Sequence, residues 1–181
     1  MTTASSRLRT VDMAYIALFA VLMAVCAWIQ IPMTIPFTMQ TFAVVAVAGL
    51  LGPWRSLTAM AVYMLLGVVV VPVFAGFHSG IGVLLSATGG YILGFLFTAL
   101  ITGLLIRKFG RSVLTLVGSM VAGLAVCYLF GTLWFCYVYA TGYGLGAAVM
   151  MCVVPYLLPE VVKIALAVLV VRRVGPHLKL G

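Results

Sequence analysis

Long stretches without charge most restrict how this chain can fold. Residues 13–54 and 56–106 contain no Asp, Glu, Lys or Arg, and residues 112–171 contain only Glu160 and Lys163 from this set. A bilayer core of about 30 Å needs about 20 apolar residues for each helical pass, so each stretch is long enough for two passes. A water-soluble domain does not bury a chain that is 66% hydrophobic with a mean hydropathy of +1.33. The sequence therefore predicts an all-α membrane protein, a compact bundle of six transmembrane helices.

The basic residues predict how the bundle is oriented. The four basic clusters are Arg7 and Arg9; Arg55; Arg107, Lys108 and Arg111; and Arg172, Arg173 and Lys179. Successive clusters lie two passes apart, and the turns near residues 31–37, 72–88 and 136–147 carry neither Lys nor Arg. Because basic loops stay on the cytoplasmic side, both termini are expected in the cytoplasm. The +8 charge is thus attributed to topology, and no nucleic-acid partner is expected.

The chain is expected to form one domain, 1–181, because no polar linker interrupts it. The predicted helices span about 13–30, 38–53, 56–74, 88–106, 112–135 and 148–171. The second helix is preceded by an irregular segment, since Pro32 and Pro36 lack backbone donors. The outer loop between helices three and four, residues 71–90, is rich in Gly and apolar residues. Irregular backbone at membrane depth is tolerated only where it is buried in protein or lines a cavity, so this loop is predicted to be an ordered lid.

Glu160 and Lys163 lie where charge is most costly. At 1.5 Å per residue above Arg172, Lys163 is near the midplane of the core and Glu160 is in its outer half. Each charge costs about 2.5 to 3.5 kcal/mol there on insertion scales, so both must face the interior. A buried ion pair stabilises a fold weakly, because desolvation offsets the Coulomb attraction. This favours a functional pair over one that only locks two helices, although the second interpretation stays open.

Several other functions lack the residues they need. A single buried carboxylate does not make a proton relay, and no His-Glu-x-x-His, Gly-x-Ser-x-Gly or phosphate-binding Gly-x-x-x-x-Gly-Lys sequence is present. His78 and His177 are expected to be solvated, and the four cysteines lack metal-ligand spacing. We therefore expect neither an enzyme nor a metal site, and any energy for transport comes from another protein.

What remains is a binding pocket that opens outward, with apolar walls and a few polar groups. Tyr156 shares the helical face of Glu160 and Lys163. The candidates for neutral hydrogen bonds are Gln40, Thr38 and Ser79, and those for aromatic walls are Trp28, Phe37, Phe74 and Tyr91. On the first helix, Ala20 and Ala24 recur at four-residue spacing, which permits close approach of a partner helix.

Five segments in order resemble the BioY family over nearly the whole chain. They are IPMTIPFTMQTF (31–42), LLGPWR (50–55), VVPVFAG (70–76), TGGYILGF (88–95) and LPEVVK (158–163). The family consists of the biotin-specific substrate-binding (S) components of energy-coupling factor transporters. The resemblance implies a high-affinity biotin-binding subunit in a prokaryotic plasma membrane, with biotin as ligand and no cofactor. It also implies a transmembrane coupling protein, which meets Ala20 and Ala24, and two ATPase subunits.

The chain departs from the family pattern at Glu160, where the family often has a shorter Asp, and in the loop, where it often has more glycine. We expect biotin's ureido N–H groups to meet Glu160 and its carbonyl to meet Lys163, unless its carboxylate takes Lys163 instead. The two charges are expected to stay apart, or only loosely joined, until the ligand arrives. The alternatives are an S component for another vitamin, such as thiamine or riboflavin, and a structural or assembly subunit.

Overall fold

A computed structural model of the protein describes residues 9–33, 35–69, 71–138 and 144–178. Eight helices and one hairpin follow each other along this part of the chain. The helices are α1 Thr10–Trp28, α2 Gln40–Leu51, α3 Pro53–Val68, α4 Ile81–Leu84, α5 Gly89–Phe109, α6 Val113–Val138, α7 Leu145–Cys152 and α8 Val154–Val174. The hairpin pairs β1 Gln30–Ile31 with β2 Phe37–Thr38 in antiparallel register, and 3₁₀ turns occupy Ala75–Phe77 and Gly175–His177.

Within the described residues, four helical segments are long and apolar enough to cross a bilayer. They are Thr10–Trp28, Gly89–Phe109, Val113–Val138 and Val154–His177. The all-helical membrane architecture predicted from the sequence is confirmed at this level. Helices α2 and α3 have 12 and 16 residues, which is fewer than the ~20 of a full pass.

Helix α2 forms the centre of the bundle. Ten of its 12 residues are buried, and α1, α3, α5, α6 and α8 all pack around it. Its sequence is mostly Ala, Val, Gly and Leu, so neighbouring helices approach closely. Gly52, in a left-handed conformation at φ 76°, ends α2, and Pro53 starts α3.

Helices α5 and α6 form the most extensive helix pair in the bundle. Glycines on both sides allow this contact: a side chain at Gly94 would collide with Cys127, and one at Gly131 would collide with the ring of Tyr91. Small residues at these positions therefore serve close helix packing.

The predicted last helix, 148–171, is wrong at its start. The structure divides this region into α7 and α8 at Val153. Pro155 lacks the N–H that would continue the hydrogen-bond ladder, and its ring crowds the carbonyl four residues earlier, so a new helix begins around it. The third helix also ends at Val68, before Pro72, rather than at residue 74.

The outer loop is ordered and attached to the bundle. Trp28 at the end of α1 donates from Nε1 to Pro72 O at 2.9 Å and stacks on Phe77 with ring centroids 5.0 Å apart. Gly80 N donates to Gly67 O at 2.7 Å. The loop turns through positive φ at Gly76 (70°) and Phe77 (59°). The predicted irregular segment before α2 is the β1–β2 hairpin.

Candidate functional site

Three helices bring polar side chains together in the middle of the bundle. Glu160 Oε1 accepts hydrogen bonds from Thr41 Oγ1 on α2 at 2.7 Å and from Tyr128 Oη on α6 at 3.1 Å. It also accepts one from Lys163 Nζ, one turn along α8, at 2.9 Å. Thr41 lies in the first turn of α2, so the positive end of that helix's dipole also favours the carboxylate.

Lys163 is equally well surrounded. Its Nζ donates to Thr41 Oγ1 at 2.9 Å as well as to Glu160, and it lies 4.2 Å from the ring centroid of Phe37. The two charged side chains are only 7% and 4% exposed for Glu160 and Lys163, respectively. Two hydrogen bonds and a cation–π contact thus replace the water that burial removes from the ammonium.

The second oxygen of Glu160 is different. Oε2 is buried, yet it accepts no hydrogen bond from any part of the chain that the structure describes. Leaving a buried polar atom unpaired costs about 1 to 3 kcal/mol, and more when the atom belongs to a charged group. Asp12 Oδ1 likewise accepts no hydrogen bond from the described residues, but it lies 3.0 Å from the cationic Arg55 Nε, whereas Glu160 Oε2 is an acceptor that a ligand can satisfy.

Glu160 and Lys163 line a cavity of about 480 Å³, within the usual range for small-molecule sites. Its polar lining comprises Gln30, Thr38, Gln40, Thr41, His78, Ser86, Thr88, Tyr91, Tyr128, Tyr156, Glu160 and Lys163. Its apolar lining includes Ile35, Phe74, Val83, Ile92, Phe95 and Cys127. The hairpin, the outer loop and helices α2, α5, α6, α7 and α8 therefore contribute walls, and the loop borders the cavity as a lid would.

Most of the residues predicted for the site line this cavity. Besides the charged pair, they are Thr38, Gln40, Phe74, Tyr91 and Tyr156. Phe37 does not line it but lies behind it, between Lys163 and Tyr156, whose ring is stacked 6.3 Å away. Tyr156 donates its hydroxyl proton to Ile35 O, which fixes the hairpin against α8.

Gln40 and Tyr63 connect the cavity floor to the loop. Gln40 Nε2 donates to the Tyr63 hydroxyl at 2.7 Å, and that hydroxyl donates to Val73 O at 3.0 Å. Gln40 therefore contributes to the site partly by holding the segment that closes it.

Two loop residues lie at the mouth of the site in different ways. Ser79 is not among the residues that line the cavity, whereas His78 is, and the His78 side chain is exposed, as the sequence predicted. The left-handed turn at Gly76 and Phe77 reverses the chain, and Phe74 N donates to His78 O at 3.1 Å. His78 Nδ1 pairs with Ala75 O at 2.8 Å, which holds the ring against the turn. Trp28 is also outside the lining and instead tethers the loop.

The expected separation of Glu160 and Lys163 is also wrong, because the structure joins them directly at 2.9 Å. A spacing of three residues places both on one helical face, and Thr41 bridges them. A ligand therefore meets an assembled pair rather than two separated charges.

Ala20 and Ala24 do not present a small-residue surface to the outside. They are 2% and 4% exposed, inside the bundle, where α1 packs on α2 and α3. The outward face of α1 carries larger residues, including Leu18, Val21 and Val25. A partner on this face would contact those side chains.

Sequence reasoning missed Thr41 and Tyr128. Thr41 was visible within the segment PFTMQTF, but nothing local distinguishes it from Thr38. Tyr128 is a single hydroxyl in an apolar helix, and its contact spans 32 positions along the chain. In the described residues, no cluster of three His, Cys, Asp or Glu side chains is arranged to hold a metal.

A second, almost wholly apolar groove of about 570 Å³ lies between α6, α7 and α8. Tyr128 and Glu160 line both this groove and the polar cavity. These two side chains therefore form part of the wall between the two spaces.

Comparison with known proteins places this architecture in a family. The sequence model described as the BioY family matches residues 1–180. The chain belongs to the BioY family. This membership confirms the resemblance seen in the five sequence segments.

Individual BioY relatives cover nearly the full chain. A probable biotin transporter BioY of Pyrococcus horikoshii is 36% identical over 163 residues, spanning 90% of this chain and 94% of that protein. The biotin transporter BioY of Thermotoga maritima is 36% identical over 160 residues, spanning 86% and 90%. That of Rhodobacter capsulatus is 28% identical over 179 residues, spanning 92% and 94%.

A solved structure has the same BioY-type fold. The crystal structure of the S-component for biotin from an ECF-type ABC transporter superposes with a TM-score of 0.85 at 21% identity. The match covers 96% of this chain and 94% of that chain. The bundle with its short central helix is therefore a fold shared with that protein.

Proposed function

We propose that this chain is a biotin-binding membrane subunit that mediates biotin uptake. BioY membership and the names of the relatives support a transporter rather than an enzyme. The observation that carries the proposal is Glu160 Oε2, which none of the described residues pairs, on the carboxylate that binds the Lys163 ammonium in a cavity of small-molecule size.

The polar groups match one edge of a cyclic urea. Such an edge presents an N–H donor beside a carbonyl acceptor. Glu160 Oε2 is available to accept the N–H, and Lys163 Nζ can donate to the carbonyl by exchanging its contact with Phe37. One available oxygen suits one N–H, so this proposal replaces the expectation that both N–H groups meet Glu160. The apolar sulfur ring and aliphatic chain suit the walls formed by Val83, Ile92 and Phe95.

The opposite orientation makes a different prediction. If biotin's carboxylate met Lys163, the methyl ester of biotin would bind much more weakly than biotin. If the ureido edge meets the pair, as we propose, the ester keeps most of the affinity, and an analogue methylated at both ureido nitrogens loses it. Competition against labelled biotin distinguishes the two.

The first experiment is a calorimetric titration of detergent-purified protein from cells grown without biotin, with riboflavin and thiamine as controls. We expect tight, saturable biotin binding near one per chain and none for the controls. Binding of riboflavin or thiamine instead would show that the chain is an S component for that vitamin. Folded protein that binds none of the three would favour the structural or assembly role.

We further propose that α2 and α3 complete six passes, with both termini in the cytoplasm of a prokaryotic cell. The basic clusters support this orientation, and the shared fold supports the helix count. Impermeant labelling of single introduced cysteines in a cysteine-free variant tests it: a site at Ser79 should label from outside, and one at Ser112 only after permeabilisation.

The energising partners are proposed by analogy with the structural neighbour, which is an S-component of an ECF-type ABC transporter. We expect a transmembrane coupling protein and two ATPase subunits to co-purify with a tagged chain. Biotin uptake should then require ATP hydrolysis by those subunits. Uptake by the chain alone in vesicles would contradict this part of the proposal.

A further inference from the structure

The hydrogen bonds around Glu160 all point to one of its two oxygens. Lys163 Nζ only donates, so Thr41 Oγ1 accepts from it and sends its single proton to Oε1. The Tyr128 hydroxyl donates to the same Oε1. Three donors from three residues therefore occupy one oxygen, and none of the described residues occupies the other.

Such a one-sided arrangement restricts how the carboxylate can turn. A glutamate side chain has three rotatable bonds, and its terminal torsion is broad when nothing holds it. Donors on α2, α6 and α8 define the position of Oε1, so the position of Oε2 is defined as well. Lys163 lies on the same helix as Glu160, so its hydrogen bond by itself does not fix the carboxylate relative to α2 and α6.

Tyr128 is itself held in position. Its ring meets that of Tyr91 edge to face, with centroids 6.2 Å apart and an interplanar angle of 74°. Tyr91 is in turn hydrogen-bonded to Thr132 at 3.0 Å. The hydroxyl of Tyr128 therefore reaches Glu160 from a fixed ring rather than from a mobile one.

We propose that Tyr128 and Thr41 are positioning residues, which determine which oxygen of Glu160 accepts a hydrogen bond from the ligand. Resting on the proposed function, this inference assigns ligand selectivity to two hydroxyls that bind Oε1 and leave Oε2 for the ligand. The ligand class they favour is a neutral compound with one N–H donor beside a carbonyl. Loss of either hydroxyl lets the carboxylate turn and weakens recognition of that N–H.

The test compares Tyr128→Phe, Thr41→Val and Thr41→Ser with Thr102→Val. Thr102 donates to Ser119 O at 3.1 Å in the α5–α6 contact and is not among the cavity-lining residues. Thr102→Val therefore removes a buried hydroxyl without contacting Glu160. We expect biotin dissociation constants about tenfold higher in Tyr128→Phe and Thr41→Val. Thr102→Val should stay within about twofold of the wild type, and Thr41→Ser, which keeps the hydroxyl, should recover most of the affinity lost in Thr41→Val.

A second readout separates positioning from a general loss of structure. Glu160 is the only glutamate of the chain, so isotope-edited infrared spectra of glutamate-labelled protein report on this carboxylate alone. Without ligand, Tyr128→Phe and Thr41→Val should shift the carboxylate stretching bands, and Thr102→Val should leave them in place.

The outcomes are distinguishable. The proposal is overturned if Tyr128→Phe binds biotin within twofold of the wild type. It is also overturned if this variant binds more weakly but its carboxylate bands do not shift. If the wild type binds no biotin, the proposed function fails, and the ligand-free spectra still decide whether the hydroxyls position Glu160.

Discussion

The two acidic residues of this chain form two ion pairs that are built differently. Asp12 at the start of α1 meets Arg55 on α3, with Nε 3.0 Å from Oδ1 and Nη2 3.3 Å from Oδ2. Glu160 uses only Oε1 for Lys163 and leaves Oε2 unpaired among the described residues. The first pair places one Arg55 nitrogen beside each carboxylate oxygen, although only Oδ2 accepts a hydrogen bond among the described residues, and it ties two helices together. The second keeps its cation on one oxygen of a carboxylate that lines a cavity.

The exposure of the cation separates the two pairs as well. The Arg55 side chain is 25% exposed and that of Lys163 is 4% exposed, whereas the side chains of Asp12 and Glu160 are both buried, at 4% and 7%. A pair whose cation reaches solvent is screened and contributes less, while breaking a fully buried pair leaves an uncompensated charge. The comparison therefore predicts large effects on binding and folding at Lys163 and small effects on folding alone at Asp12.

Removing the buried cation should have the largest effect. Lys163→Met leaves the Glu160 carboxylate buried without its cation, and we expect a destabilisation of about 3 to 5 kcal/mol. Biotin affinity should fall more than a hundredfold, measured by calorimetry on protein shown to be folded.

The matched control is the neutral double variant Glu160→Gln with Lys163→Met. It removes both charges, so the thermal midpoint should recover while biotin binding does not. A double variant that binds as the wild type does would show that the pair serves packing alone.

Changing the ring beside the ammonium should have an intermediate effect. Phe37→Leu keeps an apolar side chain but removes the ring 4.2 Å from Lys163 Nζ. A cation–π contact of about 0.5 to 2 kcal/mol is lost from the ligand-free protein, so its thermal midpoint should decrease. If the ligand's carbonyl replaces the ring, biotin affinity changes less than stability does. A loss of affinity larger than the loss of stability would place Phe37 in direct contact with the ligand.

Removing the more exposed pair should have the smallest effect. Asp12→Asn is expected to cost about 1 kcal/mol or less, with biotin affinity within about twofold of the wild type. This cost should shrink as salt concentration rises, because salt screens partly exposed charges. Thermal midpoints at low and high salt measure it, with Lys163→Met as the salt-insensitive comparison. A binding defect in Asp12→Asn would contradict the division between the two pairs.

The sequence predicted the parts of the molecule that depend on local patterns. Charge-free stretches indicated the long helices, and the cost of charge in a bilayer was enough to single out Glu160 and Lys163. Pro155 was visible too, yet its effect on the last helix was overlooked. Such features need only residue type and spacing.

The rest depends on contacts between distant positions. Thr41 and Glu160 are 119 residues apart, and neither carries a local mark of their hydrogen bond. The closed ion pair, the role of Tyr128 and the exchange of Ser79 for His78 all follow from how α2, α6, α8 and the loop pack. A pattern along one chain contains no distance between helices, so these features emerge only in the folded bundle.

The closeness of Glu160 and Lys163 also bears on the electrical side of transport. Moving one elementary charge through a membrane potential of 100 mV involves about 2.3 kcal/mol. Because the two opposite charges lie 2.9 Å apart on one helix, any motion of that helix carries them together, and the pair itself displaces almost no net charge. The binding centre is therefore electrically silent, and the ligand adds only its own charge to the movement.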